Sequence, residues 1–167
     1  SRSRRAFAAT HVVADPTAPN GPGRPARLDW DATLAFRHHL WDLGLGVADA
    51  MDTAQRGMGL DWPATAELVR RSGAEAVARG TDQLSSTHAD LESVITAYEE
   101  QLDVVQNAGA TPVIMASRVL AAGAQGPEDY TKVYGHLLRR ADRPVILHWL
   151  GTAFDPALAG YWGYTDP

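Results

Sequence analysis

Two hydrophobic rhythms alternate along the chain. Residues 6–13 (AFAATHVV) make a short apolar run that stops at Asp15-Pro16, the pattern of a buried strand. Trp30, Leu34 and Trp41 then recur at helical offsets over 30–43. Gly44 and Gly46 end that helix, since glycine readily takes the left-handed conformation of a C-cap. Residues 47–53 (VADAMDT) predict a second, weaker strand. Asp61-Trp62-Pro63 opens a helix running to about Arg79, with Pro63 in the first turn where its missing N–H costs nothing. Residues 80–88 read as a polar loop. Thr87 and Asp90 resemble a capping box, and Leu91, Val94, Ile95, Tyr98, Leu102 and Val105 fall on one helical face that Gly109 terminates. Residues 111–117 (TPVIMAS) form a strong strand. Gly126-Pro127 opens a helix with Tyr130, Val133, Tyr134, Leu137 and Leu138 on one face, and Arg139 and Arg140 suit the negative end of its dipole. Residues 143–150 (RPVILHWL) predict a final buried strand, and the aromatic tail 154–167 has room for one helical turn.

Strands that alternate with helices imply right-handed crossovers and a mostly parallel sheet, an α/β architecture. One strand is lacking between the second and third helices. The Gly/Pro-rich loop 17–27 is the only biased tract, and no internal repeat is present.

Composition narrows the function classes. The chain has 167 residues, 45% of them hydrophobic, a net charge of -5 and no cysteine. That apolar fraction excludes a disordered chain, and one domain is the expected count. The acidic balance disfavours nucleic acid and anionic membranes as partners. Without cysteine there are no disulfides, thiolate metal sites or thiol nucleophiles, as suits a cytoplasmic protein. No apolar run reaches the roughly 20 residues of a membrane helix, and residues 1–5 are a basic, disordered lead. Of fifteen basic residues only Lys132 is a lysine.

Chemistry in parallel α/β folds gathers at the carboxyl ends of strands. That rule selects Asp15 with His11, then Asp52, Thr53 and Gln55, then Ser117 and Arg118, then His148 and Trp149. Asp15 before Pro16 is also a common turn residue, and Asp52-Thr53 can cap a loop. Arg118 follows a buried strand, which suits anion binding. His148 inside PVILHWL either hydrogen-bonds in the core or faces the mouth of a site, where its titration near neutrality suits proton transfer. His38 and His39 point to adjacent helix faces and make a poor metal pair, and His88 and His136 read as surface or capping residues. No metalloprotease, serine-hydrolase, phosphate-loop or calcium-loop motif occurs, and no metal is expected. Trp41, Trp62, Trp149 and Trp162 read as core or interface fillers.

The segments DWDATL, LGLG and MDT to LDW look like the first two βα units of the dihydrodipicolinate synthase and N-acetylneuraminate lyase superfamily, and PVILH resembles its fifth strand. More closely, HVVADP, AMDTAQRGMGLDW, GTDQL, YEEQ, MASR and PVILHWLGTAFDPALAGYWG resemble an actinobacterial family of uncharacterised dihydrodipicolinate-synthase-like proteins, over about residues 6–163. The resemblance implies a (β/α)8 TIM barrel of class I aldolases. In that superfamily a lysine on the sixth strand forms a Schiff base with pyruvate or a related 2-oxo acid, and no cofactor is needed. A tyrosine ending the fifth strand relays protons, and a Thr-Thr-Gly-Glu-like loop after the second strand holds the carboxylate. Carried across, His148 stands at the tyrosine position, with Thr53 as its catalytic companion. Asp15, Asp52, Gln55 and Arg118 become substrate-binding candidates, although the Thr-Thr pair is lost.

Such a barrel takes roughly 250 residues. The 167 residues are therefore expected to form one partial barrel domain of about five βα units, with the third strand missing and the Schiff-base lysine outside the chain; Lys132 lies on the exposed side of a helix. The expected ligand is a small 2-oxo acid. Two alternatives stand beside it: a catalytically silent barrel fragment that self-associates into an oligomer, and a metal-dependent sugar isomerase-like barrel using carboxylates and His148.

Overall fold

The computed structural model describes residues 4–21, 24–51, 59–81, 83–87, 94–149, 151–153 and 156–161; for 83–87 and Arg118 only the backbone is described. It divides into two compact units, the first comprising 1–86 with 107–111 and the second 87–106 with 112–167.

In the first unit β1 (Phe7–Ala9), β2 (Gly46–Asp49) and β3 (Gln83–Thr87) lie side by side in parallel, with Val47 opposite both Ala8 and Gln83. The strand expected to be missing is therefore present: β3 occupies the segment QLSST that reads as a loop. A parallel strand needs only ladder hydrogen bonds from its backbone, so a short polar sequence forms one when a neighbour supplies the partner. Between the strands run α1 (Trp30–Asp42) and α2 (Trp62–Arg79). Asp29 caps α1 by accepting from the Ala32 amide at 2.9 Å, and Asp61 caps α2 by accepting from Ala64 at 3.0 Å. Gly80 closes α2 at φ 65°, where a Cβ would be strained.

Trp41, Val47 and Ala76 form a core cluster with Leu40 packed against it. The buried stripe of α1 is not the Trp30, Leu34, Trp41 face that periodicity suggests. It is Thr33, Arg37 and Trp41, four residues apart, while Trp30 and Leu34 are half-buried. Arg37 and Asp49 are both fully buried as an ion pair. The Arg37 Nε and one terminal nitrogen bond Asp49 Oδ1 at 3.0 and 2.5 Å; the other terminal nitrogen donates to the carbonyls of Thr33 at 2.8 Å and His11 at 3.2 Å. Thr33 adds a second tie, accepting from the Val13 amide at 3.0 Å.

In the second unit α3 (Val94–Asn107) leads to β4 (Thr111–Ile114), then α4 (Arg118–Gly123), α5 (Pro127–Arg140), β5 (Ile146–Leu147) and a 3-10 turn at Pro156–Leu158. β4 and β5 pair in parallel, Val113 opposite Ile146. The expected strand 111–117 stops at Ile114. Ser117 instead caps α4, a helix the periodicity does not announce, by accepting from Leu120 N at 3.0 Å. The final strand is two residues long, not eight, and Ile146 and Leu147 are exposed. Leu138 is exposed as well, whereas Tyr130, Val133, Tyr134 and Leu137 are buried as expected. His136 is no simple surface residue: its Nε2 meets Glu99 Oε1 at 2.7 Å, and Arg140 pairs with Asp103 at the same distance, joining α5 to α3. Among the described residues no helix is long and apolar enough to cross a membrane.

Removing one partner of the Arg37–Asp49 pair leaves an uncompensated buried charge. Arg37→Ala or Asp49→Ala should each cost about 3–5 kcal/mol of stability in urea titration, whereas Arg70→Ala, which breaks an exposed pair with Glu67, should cost at most about 1 kcal/mol. Equal costs at the two sites would contradict the central place given to the buried pair.

Candidate functional site

The carboxyl ends of β4 and β5 lie together in the second unit. The chain leaves β4 through the fully or nearly fully buried Met115, Ala116 and Ser117. Tyr98, on α3 and 0% exposed, reaches this exit with its hydroxyl, which donates to the Met115 carbonyl at 2.7 Å and accepts from the Ser117 amide at 2.9 Å. One phenol thus satisfies both polar groups of the strand-to-helix turn, where an unpaired buried amide would be costly. Ser117 then spends its own hydroxyl on the cap of α4, so it is a structural residue of the site. Arg118 opens α4, four residues beyond the end of β4.

His148 sits one residue beyond β5. Its amide donates to the Ile114 carbonyl at 2.9 Å, which carries the ladder up to the strand end, and its side chain is exposed. The core placement is thereby excluded and the strand-end placement holds. Trp149 beside it is 47% exposed and fills no core, while Trp41 does.

In the first unit the end of β2 carries Asp49, already committed to Arg37. Ala50 follows at φ 54°, a left-handed conformation unusual for a non-glycine residue and of the kind that collects at functional sites. Asp52, Thr53 and Gln55 lie outside the described residues, as do His88 and Trp162. Asp15 is not at the end of β1 but six residues on, in a loop pinned by the antiparallel bridge of Ala14 with Leu28. Its Oδ1 accepts from the Thr17 amide at 2.8 Å and the Thr17 hydroxyl at 2.7 Å. Asn20 spans the same loop, bonding the Asp15 carbonyl and the Arg27 amide. Asp15 is thus a turn residue. Among the described residues no three His, Asp or Glu side chains form a group that could hold a metal.

The periodicity finds Tyr98 only as an apolar face residue, and the pairing of Arg37 with Asp49 not at all. A signal exists in both cases: a phenol whose ring is central to a buried face needs a partner for its hydroxyl, and an arginine four residues from both Thr33 and Trp41 shares their face.

The profile of one protein family matches residues 1–167. The chain belongs to DUF993, the family described as protein of unknown function. A search of the curated proteins finds no match. Among solved structures, this DUF993 chain is similar to one described as PhdJ bound to substrate intermediate, with a TM-score of 0.72 and 13% identity over 93% of the chain and 48% of that structure. It is similar to a dihydrodipicolinate synthase (dapA), with a TM-score of 0.69 and 11% identity over 87% of the chain and 46% of the other. A monomeric dihydrodipicolinate synthase variant gives 0.61 and 14%, over 86% and 43%. The fold is therefore the α/β fold of dihydrodipicolinate synthases, and the chain spans less than half the length of these structures.

Two predictions follow the geometry. Tyr98→Phe keeps the ring and removes both bonds, so it should cost about 1–3 kcal/mol and speed hydrogen exchange at the Ser117 amide more than at Leu102. Thr17, first through its hydroxyl and then through its amide, holds the Asp15 carboxyl below the usual 3.8. A depressed value means the turn is favoured above pH 3.8 and lost only in stronger acid, so the Thr17 amide resonance should titrate with a midpoint below 3.8 and stop titrating in Asp15→Asn.

Proposed function

We propose that this chain supplies part of the strand-end face of an aldolase or lyase of the dihydrodipicolinate synthase type, acting on a 2-oxo acid through a Schiff-base lysine that lies outside these 167 residues. The observation that carries the reading is His148: an exposed imidazole held at the carboxyl end of β5 by its own backbone bond to β4, in a fold shared with dihydrodipicolinate synthases. In this reading the Schiff base withdraws electrons from the substrate carbon, and His148 moves the proton. Arg118, the first residue of α4, attracts the substrate carboxylate, while Asp52, Thr53 and Gln55 stay binding candidates carried by the resemblance alone. Asp15 acts at a distance, by shaping the loop that follows β1.

A second reading, self-association, is favoured by one feature. Ile146, Leu147 and Trp149 are each more than 40% exposed within four residues, an apolar run that water covers poorly. A homo-oligomer that loses mass in light scattering on Leu147→Lys would support it, and a monomer at all concentrations would remove it.

The aldolase reading is tested on the longest natural form of the protein containing these residues. Borohydride added with pyruvate should reduce the imine and fix one 1-carboxyethyl group on a lysine other than Lys132. His148→Gln should still be trapped while its turnover falls about 10²- to 10⁴-fold. No adduct with any 2-oxo acid, or full turnover in His148→Gln, would overturn it.

A further inference from the structure

Apart from the strand ends, the second unit contains an open cleft of about 550 Å³ between the first turn of α3, the end of α4 and the first turns of α5. That volume lies within the range of about 300–1,000 Å³ usual for small-molecule sites. Val94, Leu120 and Val133 are buried and give the cleft an apolar floor, with Ile95 half-buried beside them. Among the described residues its one cation is Lys132, the single lysine of the chain.

Neither acid that helical spacing offers to Lys132 is paired with it, although Asp129 also lines the cleft. Asp129, three residues back, accepts the Gln125 amide through Oδ2 at 2.7 Å. Glu128, four residues back, folds over Gly126, its Oε2 at 2.7 Å from where a Cβ on that glycine would stand. Both carboxylates are drawn to the positive end of α5, where they are favoured. Several arginines of the helices are paired by contrast, Arg70 and Arg71 with Glu67, Arg79 with Asp42, and Arg140 with Asp103, while among the described residues Arg139 at the far end of α5 is not. Among the described residues no carboxylate forms an ion pair with the Lys132 ammonium.

We infer that this cleft is a second binding site, taking a small aliphatic carboxylate whose apolar body rests on Val94, Leu120 and Val133 and whose carboxylate meets Lys132. The site stands apart from His148 and does not depend on the aldolase reading. A ligand of this class satisfies both features of the cleft at once, because the apolar floor rewards each buried methylene and the ammonium fixes the charged end.

Acetate, butanoate, hexanoate and hexanamide are titrated into the chain, with the resonances of Ile95, Leu120 and Val133 as the readout. Hexanoate should give saturable shifts at all three, with affinity rising about two- to fourfold for each methylene added from acetate upward. Lys132→Gln, an exposed substitution that leaves the floor intact, should weaken hexanoate up to about fivefold and leave hexanamide unchanged. Absence of saturable shifts, equal affinity for acetate and hexanoate, or hexanoate binding unaffected by Lys132→Gln would each overturn the inference.

Discussion

A guanidinium cannot be buried cheaply, and Arg37 is buried completely. Its position is sustained because its N–H groups point at three separate pieces of chain: its own helix at Thr33, the segment after β1 at His11, and the carboxylate of Asp49 at the end of β2. Parallel strands cannot be joined by a tight turn, so their relative placement depends on how the crossover helix is anchored. Here α1 is that crossover, and Arg37 is the anchor. The ion pair engages the last residue of β2, and Ala50, in a left-handed conformation, follows immediately.

The second unit solves the same problem with a neutral group. Tyr98 projects from α3 to the end of β4 and binds a carbonyl and an amide on either side of Ala116. In each unit, then, a polar side chain on a crossover helix reaches the carboxyl end of the strand that follows it and holds the backbone there. The apolar core determines which faces turn inward, but it has little directional preference. Hydrogen bonds have that preference, and these bonds tie each helix to its strand end in a defined direction. A fold whose chemistry belongs to strand ends requires such ties at those points and tolerates looseness elsewhere.

This division explains what could be read from the sequence. Helix starts marked by a first-turn proline were legible: Asp61-Trp62-Pro63 and Gly126-Pro127 mark the starts of α2 and α5 to within a residue, because that preference is local chemistry. β3 was not legible, since QLSST carries no apolar alternation and exists as a strand only by virtue of its neighbour. The reverse error arose at residues 143–150, whose apolar run suggests burial although Ile146 and Leu147 are exposed. α4 is six residues long, too short to show a period. His148 was found by the strand-end rule, which depends only on order along the chain. Arg37, Asp49 and Tyr98 act through contacts 12 to 26 positions away, and no local pattern encodes those.

The remaining question is which chemistry this face serves, and fold likeness at 11–14% identity does not decide it. The residues constrain it further. Schiff-base formation needs an amine at the strand ends where the substrate binds. The one lysine here, Lys132, is exposed on α5 and lines the cleft between α3, α4 and α5. What the second unit does offer is an exposed imidazole one residue beyond β5, its backbone tied to Ile114 of β4. In the proposed reading that imidazole moves the proton while an amine other than Lys132 captures the substrate, so proton transfer and covalent capture rest on separate groups.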